Sequence, residues 1–259
     1  MNWFRKRRVT VALGGGSARG LANIGVLKIL QQHKIPIDLV VGSSMGSLIG
    51  AAYSGNIPIE QMEKYAWEFK AQDITDITMP RFAIMKGKKL ESKIKELTNN
   101  MKYEDCKIPL AITATDIKTG DEVIFTSGDL QKIIKASCSW PGFFPPVKID
   151  GKLLSDGGLR HSVPVKWAKK LGATFTIAVK VGFAPQKIDE NNVFQTLFQS
   201  FQIMGEELDK YQSLQANVVI EPNLDNVNQL DFDKAREIIL IGEVACEREI
   251  KRIKSLLRV

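Results

Sequence analysis

Gly42-Ser43-Ser44-Met45-Gly46 lies between a β-branched apolar run and a segment of helical period. A serine at the centre of such a pentapeptide sits on a sharp strand-to-helix turn that lifts its hydroxyl clear of a sheet. Glycine is needed on both sides because side chains there would strike neighbouring backbone. The oxygen then lies at a helix N-terminus, where unpaired N–H groups and the helix dipole favour developing negative charge. Ser44 is thereby suited to attack a carbonyl carbon. Three fixed positions are a weak pattern alone, and a loop that merely tightens a strand-helix junction has the same composition, so the surroundings decide.

A second glycine segment, Gly14-Gly15-Gly16-Ser17-Ala18-Arg19-Gly20, follows an earlier apolar run and precedes an earlier helical stretch. Successive glycines expose backbone N–H groups to an anion, whether phosphate or oxyanion. Counting from Gly14, the sixth position is Arg19, which breaks the dinucleotide fingerprint, and no Gly-Lys-Ser/Thr ending makes a phosphate loop. An oxyanion hole remains, expected from the N–H groups of Gly15 and Gly16 together with that of Met45, the residue after the nucleophile.

An attacking serine needs a base. His33 falls at the far end of the first helix, away from the strand ends where Ser44 emerges, and is expected at the surface. His161 lies five positions beyond Asp156 and could approach, yet the separate aspartate and histidine segments of a hydrolase triad are absent. Asp156 ends a short strand and is followed by Gly157-Gly158, which admit close backbone approach, so its carboxylate can take the Ser44 proton directly. An ordinary aspartate, with a pKa of about 3.9, is a weak base, and positioning in partly desolvated surroundings has to substitute for basicity. The competing reading of Asp156 is a turn residue that binds its own backbone.

Short apolar strands alternate with longer segments of helical period, the pattern of a mainly parallel sheet between helix layers. Strands are expected at 9–13, 37–41, 109–115, 122–125, 152–155 and 174–181, the third and fourth forming a hairpin through Lys118-Thr119-Gly120-Asp121. Helices are expected at 21–32, 45–53, across much of 59–100, at 130–136, from Pro164, at 193–211 and at 232–257. Residues 79–87 form the least regular stretch and a candidate lid. One domain is expected over 1–259: a catalytic core of about 9–181, where the sheet is expected to end, and a C-terminal helical extension of about 182–259 with a short strand at 217–221. The last helix is expected to pack within the molecule.

At 259 residues, 44% hydrophobic and 25% charged, the chain has the make-up of a folded globular protein, which excludes disorder, collagen and coiled coil. Cys106, Cys138 and Cys246 supply neither a disulfide framework nor a tetrahedral metal set, and no metal or cofactor is expected. No apolar stretch approaches the roughly 18 residues of a membrane span. The run after Arg5-Lys6-Arg7-Arg8 is too short for a secretory segment, so a cytoplasmic setting is expected. A net charge of +7 decides little by itself, and no nucleic-acid partner is expected. Trp3 and Phe4 beside the basic cluster would suit peripheral contact with anionic lipid on the inner membrane face, although a solvated terminus is the better reading. Oligomeric state is open.

The three motifs in this order resemble the patatin-like phospholipases. The likeness runs from Val9 to about Ala178, with Ala114-Thr115-Asp116, Thr119-Gly120 and residues 136–146 holding the register between Ser44 and Asp156. It implies a three-layer αβα fold, and hydrolysis of fatty acyl esters of phospholipid or lysophospholipid by a Ser44/Asp156 dyad through an acyl-enzyme, without histidine. It also implies that the glycine loop is the oxyanion hole and that Arg19 braces it or sits near a phosphate, bracing being the favoured reading, with Gly14, Gly20, Gly42, Gly46, Gly157 and Gly158 in support. Residues 159–164 depart from the family's pattern, which more often carries Asn or Asp near His161 and Ser162. Two rivals stand beside hydrolysis. One is acyl transfer to an acceptor other than water, a class that commonly places histidine where this chain has Ser43. The other is a noncatalytic lipid-binding protein.

Overall fold

The computed structural model describes residues 7–77, 83–182 and 193–259. Among the described residues eight strands form one sheet: β1 Val9–Leu13, β2 Leu39–Ser43, β3 Leu110–Asp116, β4 Glu122–Phe125, β5 Val147–Ile149, β6 Lys152–Asp156, β7 Phe175–Val179 and β8 Val218–Ile220. Their order is β5-β6-β3-β2-β1-β7-β8, with β4 beside β3. Pairings from β3 through β2, β1 and β7 to β8 are parallel; β4, β5 and β6 pair antiparallel. The helices are α1 Ala22–Gln32, α2 Met45–Ser54, α3 Ile59–Glu68, α4 Lys88–Leu97, α5 Leu130–Ser137, α6 Val165–Lys170, α7 Val193–Ser213 and α8 Ala235–Leu257.

Alternation along the central strands serves two buried faces. Val9, Val11 and Leu13 of β1 join Val40, Leu110 and Ile112 in the main core under α1 to α5 and α8. Ala12, Val41, Ala111 and Ala178 point the other way and pack with Val163, Val165 and Ala168 at and around α6. This gives the three layers, with the larger core on the α1 side. Near-continuous apolar runs are what strands buried on both faces require.

One pairing detail positions the chemistry. Ile112 and Thr113 of β3 lie between Gly42 and Ser43 of β2 on one side and Phe125 and Ile124 of β4 on the other. Thr115 is shared between Glu122 of β4 and Ser155 of β6, so β4 and β6 take opposite edges and β6 follows β2 along the same edge of β3. The edge therefore reads Gly42, Ser43 and then Asp156 against Ile112, Thr113 and Ala114. Where β2 turns away at Ser44, β6 delivers Asp156 one register position further on.

The sheet does not end near Val181 as expected: β8 pairs with β7, and Lys180 N–H donates to Ile220 carbonyl. The segment 218–220 was too short to mark itself as part of the sheet. β2 is shifted two residues toward the serine because Ile37 precedes the pairing with β1, which begins at Leu39. β5 was not foreseen; its three residues pair only with β6 across the Asp150-Gly151 turn. Before α8, residues 232–234 form a single 3-10 turn. Of the candidate lid, residues 79–82 lie outside the described residues, while Met85 N–H donates to Phe143 carbonyl and Asp76 accepts from the N–H groups of Gly87, Lys88 and Lys89 at the start of α4.

Candidate active site

Ser44 stands between β2 and α2 with φ 51° and ψ −125°, a backbone conformation that a non-glycine residue adopts only when its surroundings enforce it. Enforcement comes from both flanks. A Cβ at Gly42 would come within 2.5 Å of the Gly46 carbonyl oxygen, and one at Gly46 would strike the carbonyl oxygen of Leu13. Ser44 N–H donates to Ser137 Oγ at 2.9 Å, while the Ser44 carbonyl accepts from Ser47 N–H and Ser47 Oγ. The turn is thus pinned at the end of α5 and in its own first helical turn.

Ser44 Oγ donates to Asp156 Oδ2 at 2.7 Å. The second carboxylate oxygen, Oδ1, accepts from Gly158 N–H at 2.7 Å. Both readings of Asp156 made from the sequence therefore describe the same side chain, one oxygen closing its own turn and the other meeting the serine. Asp156 is 1% exposed. Burial raises its pKa to about 7, against the opposing pull of the Ser44 hydroxyl and the Gly158 N–H. The weakness expected of an aspartate base is corrected by this: desolvation adds basicity to position.

The histidines lie elsewhere. His161 Nδ1 meets the Glu122 carboxylate, whose other oxygen takes Lys166 Nζ at 2.9 Å. Burial pushes the Glu122 pKa upward, but the hydrogen bonds from His161 and Lys166 outweigh it and hold it at about 2. His33 caps α1 at the surface between Glu247 and Lys254 of α8.

The glycine loop lies against the serine, since a Cβ at Gly15 would come within 2.8 Å of Ser44 Cβ. One expected oxyanion donor is corrected. Gly15 N–H donates to the Ser162 carbonyl at 3.0 Å and is already committed, as Gly14 N–H is to Val179 carbonyl. The carbonyls of residues 162 and 179 thus take up two of the loop's N–H groups. Gly16 N–H has no acceptor among the described residues, and Met45, first in α2, has no helical acceptor behind it. Two N–H groups are left without a backbone acceptor on residues that line the serine's end of the cavity.

Arg19 is 4% exposed and its guanidinium donates to the carbonyls of Val181, Gly182, Leu224 and Val227. It ties the loop to the end of β7 and to the segment after β8. Asn23, which the sequence reading passed over, donates to the carbonyls of Gly14 and Gly20 and closes the loop from inside. A polar residue on the buried face of an apolar helix was the available signal. Ser137 left no comparable trace. In the N-terminal basic cluster, Arg5 and Lys6, like Trp3 and Phe4, lie outside the described residues. Arg8 binds Leu171 carbonyl and Thr174 hydroxyl beside the start of β1, the end of that strand away from the loop.

A cavity of about 290 Å³ opens from this cluster. Gly16, Ser44, Met45 and Asp156 form its polar end, and Leu48, Ala52, Met62, Ala66, Leu90 and Ile94 of α2 to α4 line its depth, with Trp140, Phe143 and Phe144 alongside. A hydroxyl aimed by a carboxylate into an apolar slot can attack the carbonyl of an ester whose hydrocarbon tail fills the slot. Because the carboxylate must be ionised to accept the proton, kcat/KM is expected to rise tenfold per pH unit below about 7 and to level above it. A profile flat from pH 5 to 8, measured by initial rates on a soluble ester, would contradict this assignment of the base.

Fold and site together define an α/β protein in which a serine on a strand-to-helix turn is hydrogen-bonded to a buried carboxylate. The profile of the patatin-like phospholipase family matches residues 11–169, and the chain belongs to that family. It is 34% identical over 188 residues to neuropathy target esterase sws of Drosophila melanogaster, covering 70% of this chain and 13% of that protein. Over 266 residues it is 29% identical to lysophospholipase NTE1 of Scheffersomyces stipitis, covering 90% and 17%. The chain thus spans less than a fifth of the length of these relatives. Among solved structures it is similar to VipD of Legionella pneumophila, with TM-score 0.53, 11% identity and coverage of 95% of this chain and 67% of that one. A second likeness, to the type III effector ExoU, has TM-score 0.50 and 13% identity over 96% and 53%. At such identities these two speak for the fold. Among the described residues no helix is long and apolar enough to cross a membrane.

Proposed function

We propose that this chain is a carboxylic ester hydrolase that cleaves fatty acyl esters of phospholipid or lysophospholipid in the cytoplasm. The observation that carries the reading is the 2.7 Å hydrogen bond from Ser44 Oγ to a buried carboxylate at the polar end of an apolar cavity. Kinship with proteins named lysophospholipase and esterase supports the substrate class. Ser44 Oγ attacks the ester carbonyl as Asp156 accepts its proton, and the N–H groups of Gly16 and Met45 bind the oxyanion. Collapse expels the alcohol, which takes the proton back from Asp156 and leaves the acyl group on Ser44. Water then attacks the acyl-enzyme, again giving its proton to Asp156, and fatty acid and free Ser44 result. No imidazole takes part, because His161 is held by Glu122.

The test is a fluorophosphonate probe followed by a panel of esters. Labelling is expected on Ser44 and absent in Ser44→Ala, and long-chain lysophospholipid is expected to release free fatty acid. Labelling that persists in Ser44→Ala would reassign the nucleophile. Release confined to short soluble esters would move the substrate from lipid to general ester, and acyl product found mainly on an added alcohol or thiol would make the protein a transferase.

A further inference from the structure

α7 is built inside out. On a helix lying on a globular protein the apolar face turns inward. Among the described side chains of α7, those buried against the protein are polar: Gln202, Asp209 and Ser213. Directly opposite them stand Leu197, Phe201, Met204, Leu208 and Tyr211, all 44% exposed or more. Their spacing is four, three, four, three. That is the narrow seam of a helix meant to pack along another helix, not the broad apolar arc flanked by Lys and Arg of a helix lying in a lipid surface. The described charges of α7 agree: Glu206, Glu207 and Asp209 against Lys210 alone.

We propose that α7 is a self-association surface, pairing antiparallel with α7 of a second copy of this chain across a two-fold axis. A two-fold interface uses the same patch on both copies, which one straight stripe satisfies. With the axis between Phe201 and Met204, Phe201 of each copy meets Met204 of the other, and Leu197 meets Leu208. The area is adequate. Large side chains bury roughly 150–250 Å² in full, so the five stripe residues, 44–65% exposed, offer roughly 500 Å² of the apolar area that makes up somewhat over half of an interface. Stable interfaces take about 800 Å² per partner, and the polar rim supplies the remainder.

The test is sedimentation of the full chain over a concentration series, with Phe201→Glu and Met204→Lys as variants. Wild type is expected to be dimeric at about 10 μM, and each variant alone to dissociate more than about 100-fold more readily, since each buries an unpaired charge. Mixing the two variants is expected to restore the dimer, because Glu at 201 of one copy then faces Lys at 204 of the other. A wild-type far-UV circular dichroism spectrum and a cooperative melt show that the variants fold, both positions being exposed. A wild type that stays monomeric at about 100 μM overturns the proposal; if it then partitions onto phosphatidylcholine vesicles and the variants do not, the stripe belongs to a lipid surface. Dimers that survive both substitutions place the interface elsewhere, and a mixture that stays monomeric overturns the antiparallel pairing.

Discussion

Asp156→Asn is expected to lower kcat on a soluble ester by roughly 10³-fold or more, with KM within about a factor of three. Asparagine keeps the volume and can still accept the Gly158 N–H, but it cannot take a proton from Ser44. Ser44→Ala is expected to fall at least as far, and the double variant no further, because the two side chains act as a unit. His161→Ala is expected to keep most of the activity, since that ring pairs with Glu122 and not with the serine. The reverse outcome, with His161→Ala inactive and Asp156→Asn active, would replace the dyad by a triad.

The same substitution carries a second readout that a merely damaged fold would not give. The pKa of Asp156 is raised in the folded chain, so the group's contribution to stability is full below about 3.9 and is lost as pH climbs through about 7. Above that pH the native state holds a buried carboxylate whose desolvation costs on the order of a few kcal/mol. Asp156→Asn removes the charge, and is therefore expected to melt higher than wild type at pH 8 and nearly level with it at pH 4. Asp209, also raised to about 7 by burial, is common to both proteins and cancels in the difference. An inactive variant that is more stable where the parent is ionised would mark a site that trades stability for chemistry.

The sequence was most readable where one backbone constraint admits few residues. Gly42, Ser44 and Gly46 fix a turn that almost no other set can form, and the strand before them and helix after them follow directly. Asp156 could be singled out because glycines follow it, His33 falls at the far end of the first helix and the separate segments of a histidine triad are absent, but its partner geometry depends on β6 taking up the edge of β3 that β2 leaves. That is a fact of sheet topology, and nothing local to residues 152–156 encodes it. Gly15 shows the opposite limit. Its type and place qualified it as an oxyanion donor, yet its N–H is taken by Ser162, a residue 147 positions later whose carbonyl direction no local pattern reveals. The shift of the Asp156 pKa was illegible for a similar reason, because desolvation is set by everything packed around the carboxyl. α7 was legible only in part: its period was read correctly as helix, while its orientation, apolar side outward, is decided by the polar groups it meets.

Gly25→Ala and Gly242→Ala are each expected to destabilise the chain by about 3 kcal/mol or more, against the direction helix propensity predicts. Both residues lie inside helices, α1 and α8, where alanine in place of glycine is ordinarily worth about 1 kcal/mol of added stability. Here the two helices cross backbone to backbone. A Cβ at Gly25 would strike the carbonyl oxygen of Ile239, and one at Gly242 that of Ala22. Neither obstacle is a flexible side chain that can swing aside, so α1 and α8 must separate and open voids among Val26, Ile238 and Cys246, which are buried at the contact. Gly120→Ala is the control. Nothing lies within 4 Å of its Cβ position, and its cost is limited to the positive φ of 76°, about 1 kcal/mol. Urea denaturation of the three variants separates the effects, and a stabilised Gly242→Ala would show that the crossing is looser than described. Activity should follow stability at this site more than at most others. α1 begins at Ala22, directly after the glycine loop, and Asn23 reaches back to hold Gly14 and Gly20. A crossing forced apart at Gly242 therefore moves the residue next to the one that closes the loop, and the Gly16 N–H, proposed to bind the oxyanion, is expected to lose its alignment before the fold itself is lost.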